Sequence, residues 1–152
     1  DSFINVLDKV LSSSGLAPER LHIEITESVF ADNKGKVLAQ VNEIKKRQVQ
    51  ISIDDFGTGF SSLSQLQSLR FDHIKIDRAF VQNLEEGSDT IIRATVLIAK
   101  EFNCETVAEG IETEADAQRL TSMGVDSLQG YLYAKPMPNI ELADWYSNYK
   151  EQ

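Results

Sequence analysis

Short strand-like and longer helix-like segments alternate along this chain, and this alternation constrains its fold more than any other feature. The strand-like segments show the period of two that is typical of strands, and the segments between them show the spacing of amphipathic helices. The predicted strands are 21–25, 49–53, 73–76, 104–108 and 125–128. The predicted helices are 3–11, 37–44, 61–69, 90–102, 113–123 and 139–149. Because strands joined through helices run parallel, the sequence predicts an α/β fold.

Composition excludes several classes of protein. With 152 residues, of which 41% are hydrophobic, the chain is expected to form one soluble globular unit. A net charge of −9 argues against a surface for duplex nucleic acid, which needs a dense basic patch. No stretch approaches the roughly 20 apolar residues of a membrane span, so we expect no membrane contact from this segment. The single cysteine, Cys104, fits a reducing cytoplasm.

Ionisable residues stand at the ends of the predicted strands. Polar side chains alternate with apolar ones, so we expect one face of the sheet to meet the helices and the other to be polar. The polar series ends in Glu24, Asp54 and Lys75 on three strands, and Glu109 directly follows a fourth. Since the carboxyl ends of parallel strands share one edge, these side chains are predicted to converge where barrel enzymes keep their chemistry.

Two adjacent carboxylates, Asp54 and Asp55, follow the second predicted strand and precede Phe56-Gly57-Thr58-Gly59. In isolation such a stretch is more typical of a turn, and inward polar residues can also form a hydrogen-bonded network inside a barrel. Three converging acids with Lys75 as their compensating charge are costly without a further cation. We therefore favour a metal site.

The other potential ligands limit the kind of metal. His22 and His73 show no ligand spacing on one element, so the sequence favours packing or hydrogen-bonding roles for both. Oxygen ligands, with neither paired histidines nor several cysteines, suit Mg²⁺ or Mn²⁺ better than Zn²⁺.

Five motifs occur in order along nearly the whole chain. They are Glu24-Ile25-Thr26-Glu27, the segment 54–63, Lys75-Ile76-Asp77, the segment 108–113, and Gln129-Gly130-Tyr131 with Lys135-Pro136. Together they resemble the motifs of the bacterial EAL domain family, the cyclic-di-GMP phosphodiesterases. The resemblance implies a TIM-like (β/α) barrel, here an incomplete one of about five parallel strands with surrounding helices. It also implies hydrolysis of cyclic di-GMP to linear pGpG with two Mg²⁺ or Mn²⁺ ions.

The resemblance further implies a role for each motif residue. Glu24 would bind the first metal, Asp54 would bridge both, and Asp55 and Glu109 would bind the second. Lys75 would orient the attacking water and the phosphate, so the expected catalytic residues are Lys75, Glu109 and Asp54. The residues implied in substrate binding or loop support are Glu27, Phe56, Gly57, Thr58, Gly59, Ser61, Glu112 and Gln129.

Two departures from the family pattern limit the expectation. Phe60 stands where the family often has Tyr, which keeps the ring, and we expect little loss. The namesake Glu-Ala-Leu segment does not occur anywhere in the chain, and a metal-binding Asn of the family also precedes the matched region. Because a complete barrel needs about 250 residues and eight strands, we expect residues 1–152 to be the C-terminal part of a single EAL domain without its N-terminal strands. The exposed sheet edges leave dimerisation, exchange of elements or imperfect closure open.

Two functions remain open at this point. The parent protein is predicted to be a cyclic-di-GMP phosphodiesterase, because all the metal-site acids of the matched motifs are present, while this chain alone is expected to be inactive or nearly so. The alternative is a catalytically silent module that binds cyclic di-GMP and signals to a partner. In either case we expect further signalling domains in the parent protein. Another region of the parent could tether it to a membrane.

Overall fold

The computed structural model describes residues 2–26, 28–29, 34–57, 69–84 and 87–149. The strands are β1 (His22–Thr26), β2 (Gln50–Phe56), β3 (His73–Ile76), β4 (Glu105–Ala108) and β5 (Ser127–Leu128). The helices are α1 (Phe3–Ser14), α2 (Lys34–Lys46), α3 (Arg78–Gln82), α4 (Asp89–Phe102), α5 (Glu114–Met123) and α6 (Asn139–Tyr149), and a 3₁₀ turn (Pro18–Arg20) precedes β1. None of these helices combines the length and apolarity needed to span a bilayer.

The five strands form one parallel sheet in the order β1-β2-β3-β4-β5. Each strand lies beside the next one along the chain, as in the wall of a barrel and unlike a sheet wound in two directions. The prediction of five parallel strands with surrounding helices is therefore confirmed. Within the described residues the sheet is open, with β1 and β5 at its edges.

Apolar side chains cover one face of the sheet. A first core cluster links β2 and β3 to α1 and α2 through buried residues that include Leu7, Val41, Ile53 and Ile74. A second cluster links β3 and β4 to α4 and α5 through Ile76, Ile92, Ala108 and Leu120. In β1, β2 and β3 the alternate positions are polar, whereas β4 has Val107 there, and burial of one face places the strand-end acids together on the other.

Capping residues explain why several boundaries differ from the predicted ones. Helix α1 continues beyond residue 11 to Ser14, and Gly15 ends it in the left-handed region with φ of 67°. Helix α3 was not predicted; Asp77 begins it by accepting a hydrogen bond from the backbone N–H of Ala79 at 2.8 Å. The predicted helix 61–69 lies outside the described residues except for Leu69.

Two aspartates fix the starts of strands. Asp72, just before β3, accepts a hydrogen bond from the backbone N–H of Ile51 at 2.8 Å. Asp126, just before β5, accepts one from the backbone N–H of Thr106, also at 2.8 Å. Each carboxylate therefore accepts a hydrogen bond from the neighbouring strand that a backbone carbonyl would otherwise accept. Residue 126 does not extend β5, which begins at Ser127.

Candidate active site

Four ionisable side chains from neighbouring strands meet at the carboxyl-terminal rim of the sheet. Glu24 lies in β1, Asp54 in β2 and Lys75 in β3, and Glu109 directly follows β4. The Nζ atom of Lys75 lies 2.6 Å from Oε1 of Glu109, 2.7 Å from Oε1 of Glu24 and 3.1 Å from Oδ1 of Asp54. Residues as far apart as positions 24 and 109 thus share one ammonium group.

The charge of Lys75 is set by these three carboxylates. Its side chain is only 8% exposed. Burial by itself lowers the pKa of Lys75, but the hydrogen bonds to Glu109, Glu24 and Asp54 outweigh burial and hold the pKa above its ordinary value. Lys75 is therefore a cation at neutral pH, and it can donate hydrogen bonds but cannot act as a general base.

A bulge in β2 carries the two adjacent acids. Ile53 pairs with Ile74 and Phe56 with Ile76, so β2 contains one more residue than β3 between these two pairs. Asp55 adopts a φ of 55°, which is uncommon for a residue other than glycine. Both acids therefore belong to the strand, whereas the sequence placed them just after it. Bulges of this kind redirect side chains and are frequent beside active sites.

Asp55 lies in a strongly negative environment. Burial raises the pKa of Asp55, the neighbouring charges of Asp54 and Asp77 raise it further, and Lys75 opposes them. Asp77 also forms a hydrogen bond with Asp55. Asp77 was not predicted to have a role, although it directly follows β3 as Glu109 directly follows β4, and this position was a usable signal.

The segment that carries Glu109 is held by backbone contacts. The N–H of Glu109 donates to the carbonyl of Ile76 at 3.1 Å, and the N–H of Gln129 donates to the carbonyl of Ala108 at 2.8 Å. Gly110 follows with φ of 73°, and a Cβ atom there would lie 2.5 Å from Cβ of Arg78. Glycine is therefore required next to Glu109 for Arg78 to approach.

Gly130 brings the end of β5 against the same segment. A Cβ atom at Gly130 would lie 2.1 Å from the carbonyl oxygen of Ile111 and 2.2 Å from its nitrogen. The N–H of Ile111 donates to the carbonyl of Gln129 at 3.1 Å. A cavity of about 180 Å³ opens here, lined by Arg78, Glu109, Gly110, Glu112, Gln129, Gly130 and Tyr131. The predicted supporting residues Glu112 and Gln129 thus lie beside Glu109, whereas Arg78 was not singled out from sequence.

The remaining predicted positions belong to the segment after β2. Phe56 is the last residue of β2, and Gly57 follows it with φ of 91°. Glu27, Thr58, Gly59 and Ser61 lie outside the described residues.

The donor set fits hard divalent cations. The acids that surround Lys75 supply oxygen ligands, and the pKa of Asp55 is raised first by burial and then by the charges of Asp54 and Asp77, which Lys75 opposes. As arranged, the carboxylates converge on the ammonium of Lys75. Within the described part of the chain, no three His, Cys, Asp or Glu side chains surround a common point as metal ligands would. Glu24, Asp54, Asp55 and Glu109 are the residues that would hold Mg²⁺ or Mn²⁺.

The known proteins that resemble this chain include phosphodiesterases that act on or bind cyclic di-GMP. The chain is 35% identical over 150 residues to the cyclic di-GMP phosphodiesterase PdeR of Escherichia coli (strain K12), and the match covers 97% of this chain but 23% of PdeR. The structure of the PaMucR phosphodiesterase in complex with c-di-GMP is similar, with a TM-score of 0.87 and 38% identity over 91% of this chain and 57% of that one.

A second similar structure contains a metal ion. BlrP1 of Klebsiella pneumoniae, in its complex with manganese and cyclic di-GMP, matches with a TM-score of 0.80 and 29% identity over 88% of this chain and 34% of that one. These neighbours are EAL domains, which are TIM-like barrels, and the parallel sheet agrees with that fold. The family model described as "EAL domain" matches residues 1–136. The chain therefore belongs to the EAL domain family.

Proposed function

We propose that this chain is the C-terminal part of a domain that hydrolyses one phosphodiester bond of cyclic di-GMP to give linear pGpG. The observation that carries the proposal is the grouping of Glu24, Asp54 and Glu109 within 3.1 Å of Nζ of Lys75 at the carboxyl-terminal rim. PdeR and PaMucR, which this chain resembles, are phosphodiesterases, and PaMucR binds c-di-GMP. The rim of a parallel barrel is also where such sheets place their chemistry.

Lys75 has a defined part in this reaction. Because it remains protonated, it donates hydrogen bonds to a phosphate oxygen or to the attacking water and stabilises the negative charge that develops. The carboxylates at 2.6 to 3.1 Å fix the direction of its Nζ atom. Two bound Mg²⁺ or Mn²⁺ ions would lower the pKa of the water and stabilise the leaving oxygen. Glu24, Asp54, Asp55 and Glu109 would hold those ions.

The substrate is proposed to reach the cavity beside Glu109. Arg78 offers a cation for phosphate or for the acceptor edge of guanine, and Gln129 and Glu112 offer an amide and a carboxylate. Gly110 and Gly130 allow the backbone segments that carry these groups to lie close together. These residues would orient the cyclic dinucleotide while Lys75 and the acids act on one phosphate.

A receptor is the second candidate function. The carboxylates of Glu24, Asp54 and Glu109 contact Lys75, and the described residues contain no preformed group of three metal ligands. This arrangement would suit a module that binds cyclic di-GMP without cleaving it. Retention of Glu24, Asp54, Asp55 and Glu109 together favours the enzyme, because binding alone does not need all four acids.

We expect the 152-residue chain alone to be inactive or nearly so. It contains no Glu-Ala-Leu segment and spans 57% of the PaMucR chain. An incomplete set of ligands holds metals loosely. Further signalling domains in the longer protein belong to the same proposal, since the chain spans only 23% of PdeR. A homodimer also belongs to it, since a second copy could cover the open edges of the sheet.

The test is chromatographic detection of pGpG after incubation with cyclic di-GMP and Mn²⁺ or Mg²⁺. The longer protein that contains this chain should form pGpG, and Asp54→Asn should abolish turnover, whereas Lys45→Met, remote from the rim, should not. The 152-residue chain should show none or almost none. Binding of cyclic di-GMP without turnover by the longer protein would instead establish the receptor.

A further inference from the structure

Two histidines meet at the opposite end of the polar face from Lys75. His22 begins β1 and His73 begins β3, and Glu105 begins β4. The ring centroids of His22 and His73 lie 4.7 Å apart, and the ring planes are tilted by 34°. From the sequence, packing or hydrogen-bonding roles were favoured for both histidines because they show no ligand spacing on one element, yet the sheet brings their rings into contact.

His73 presents a nitrogen without a partner. Its Nδ1 atom is buried and has no hydrogen-bond partner among the described residues. Its Nε2 atom faces the carboxylate of Glu105, with Oε2 at 3.6 Å. A carboxylate beside Nε2 favours the proton on that nitrogen and leaves the lone pair on Nδ1. At 3.6 Å the pair is longer than a hydrogen bond, and it places a carboxylate on the side of the imidazole where metal-bound histidines have one.

Burial also keeps the imidazole in the form that binds metals. Desolvation lowers the pKa of His73, His22 lowers it further, and Glu105 and Asp72 oppose this. His73 is therefore neutral at pH 7, so its nitrogen lone pair is not taken by a proton. The side chain of His73 is 14% exposed, while residue His22 is exposed and has its ring beside that of His73.

The separation of the two rings suits a shared ion. Imidazoles bound to one ion through nitrogens at about 2.0 to 2.1 Å, in tetrahedral geometry, have ring centroids about 5 Å apart. The observed 4.7 Å is close to that value, and a small rotation of exposed His22 supplies the difference. We propose that His22 and His73 together bind a divalent transition-metal ion that favours imidazole nitrogen, such as Zn²⁺, Ni²⁺ or Co²⁺, with water completing its coordination.

This site differs in chemistry from the rim. Imidazole selects Zn²⁺, Ni²⁺ and Co²⁺, whereas carboxylates suit Mg²⁺ and Mn²⁺. His22 precedes Glu24 by two residues along β1, so the Cα atoms of these residues lie about 6.6 Å apart at the usual rise of a parallel strand. An ion held by His22 and His73 would tie β1 to β3 across β2 and stabilise the sheet without depending on the proposed hydrolysis.

The test is titration of the untagged 152-residue chain with Co²⁺, followed by visible absorption, with Zn²⁺ as competitor. Wild-type protein should show one tight Co²⁺ site from which Zn²⁺ displaces the ion, His22→Gln should weaken binding at this site at least about tenfold, and Glu105→Gln should weaken it about tenfold. Asp54→Asn is the matched control and should bind as wild type does.

Equal Co²⁺ affinity of wild type and His22→Gln would overturn the proposal, and so would loss of the signal in Asp54→Asn with retention in His22→Gln. His73→Gln should also lose binding where circular dichroism shows that it is folded. His22→Gln decides the question in any case, because an exposed side chain can be replaced without disturbing the core.

Discussion

Replacing Lys75 with methionine should destabilise the protein in a way that divalent cations reverse. The substitution keeps the unbranched stem of the side chain as far as Cε but removes the ammonium that lies within 3.1 Å of Glu24, Asp54 and Glu109. Removing one partner of a buried ion pair costs about 3–5 kcal/mol. Asp54 and Glu109 keep 23% and 24% exposure and Glu24 keeps 51%, so solvent screens part of the repulsion that remains. We therefore expect a loss of about 3 kcal/mol.

The assay is thermal unfolding with and without Mn²⁺ at pH 7. A loss of about 3 kcal/mol lowers Tm by about 6–12 °C in a chain of this size. The uncompensated carboxylates should then bind Mn²⁺, and a concentration 100 times the Kd returns about 2.7 kcal/mol. Lys45→Met is the control, because it breaks the ion pair with Asp72, where Nζ lies 2.6 Å from Oδ1, away from the rim. If Lys75→Met has wild-type stability, or responds to Mn²⁺ no more than Lys45→Met does, then Lys75 does not neutralise these three carboxylates as described.

Three further predictions concern other features. Gly130→Ala should cost at least about 1–3 kcal/mol in urea unfolding, because its Cβ atom would lie 2.1 Å from the carbonyl oxygen of Ile111. Gly35→Ala, in α2 with open space around it, should instead stabilise by about 0.5–1 kcal/mol, and equal effects would contradict the contact. Since the folded-state pKa of His73 lies below 6.5, the unfolded chain binds the proton more readily. The urea midpoint should therefore fall as pH drops below about 6.5, and less so in His73→Gln; identical pH profiles would argue against this. Asp77→Ala should lose about 1 kcal/mol of helix capping, and an unchanged urea midpoint would contradict its capping role.

The fold could be predicted because polar and apolar residues alternate in each of the first three strands. Ile51 and Ile53 face the helices, and Ser52 and Asp54 occupy the opposite positions, which is what a half-buried parallel strand requires. The period of two fixes the face of each residue without knowledge of its partners. The meeting of Glu24 with Lys75 follows from that register once the strands are parallel and neighbours in sequence are neighbours in space.

What the sequence did not reveal depends on contacts between distant segments. The bulge at Asp55 exists only in relation to the pairing of β2 with β3, and no local pattern marks it. The contact of His22 with His73 joins two strands that flank a third. Helix α3 was missed because its five residues are too few to show a period, and its cap, Asp77, resembled one more strand-end acid.

The most direct test of the central claim is anomalous diffraction from crystals of the chain grown with millimolar Mn²⁺. We expect anomalous peaks at the carboxyl-terminal rim, within ligand distance of Asp54 and of Glu24, Asp55 or Glu109. A map with Mn²⁺ bound elsewhere on the molecule, and no peak at this rim, would contradict the claim that these acids form a divalent-cation centre.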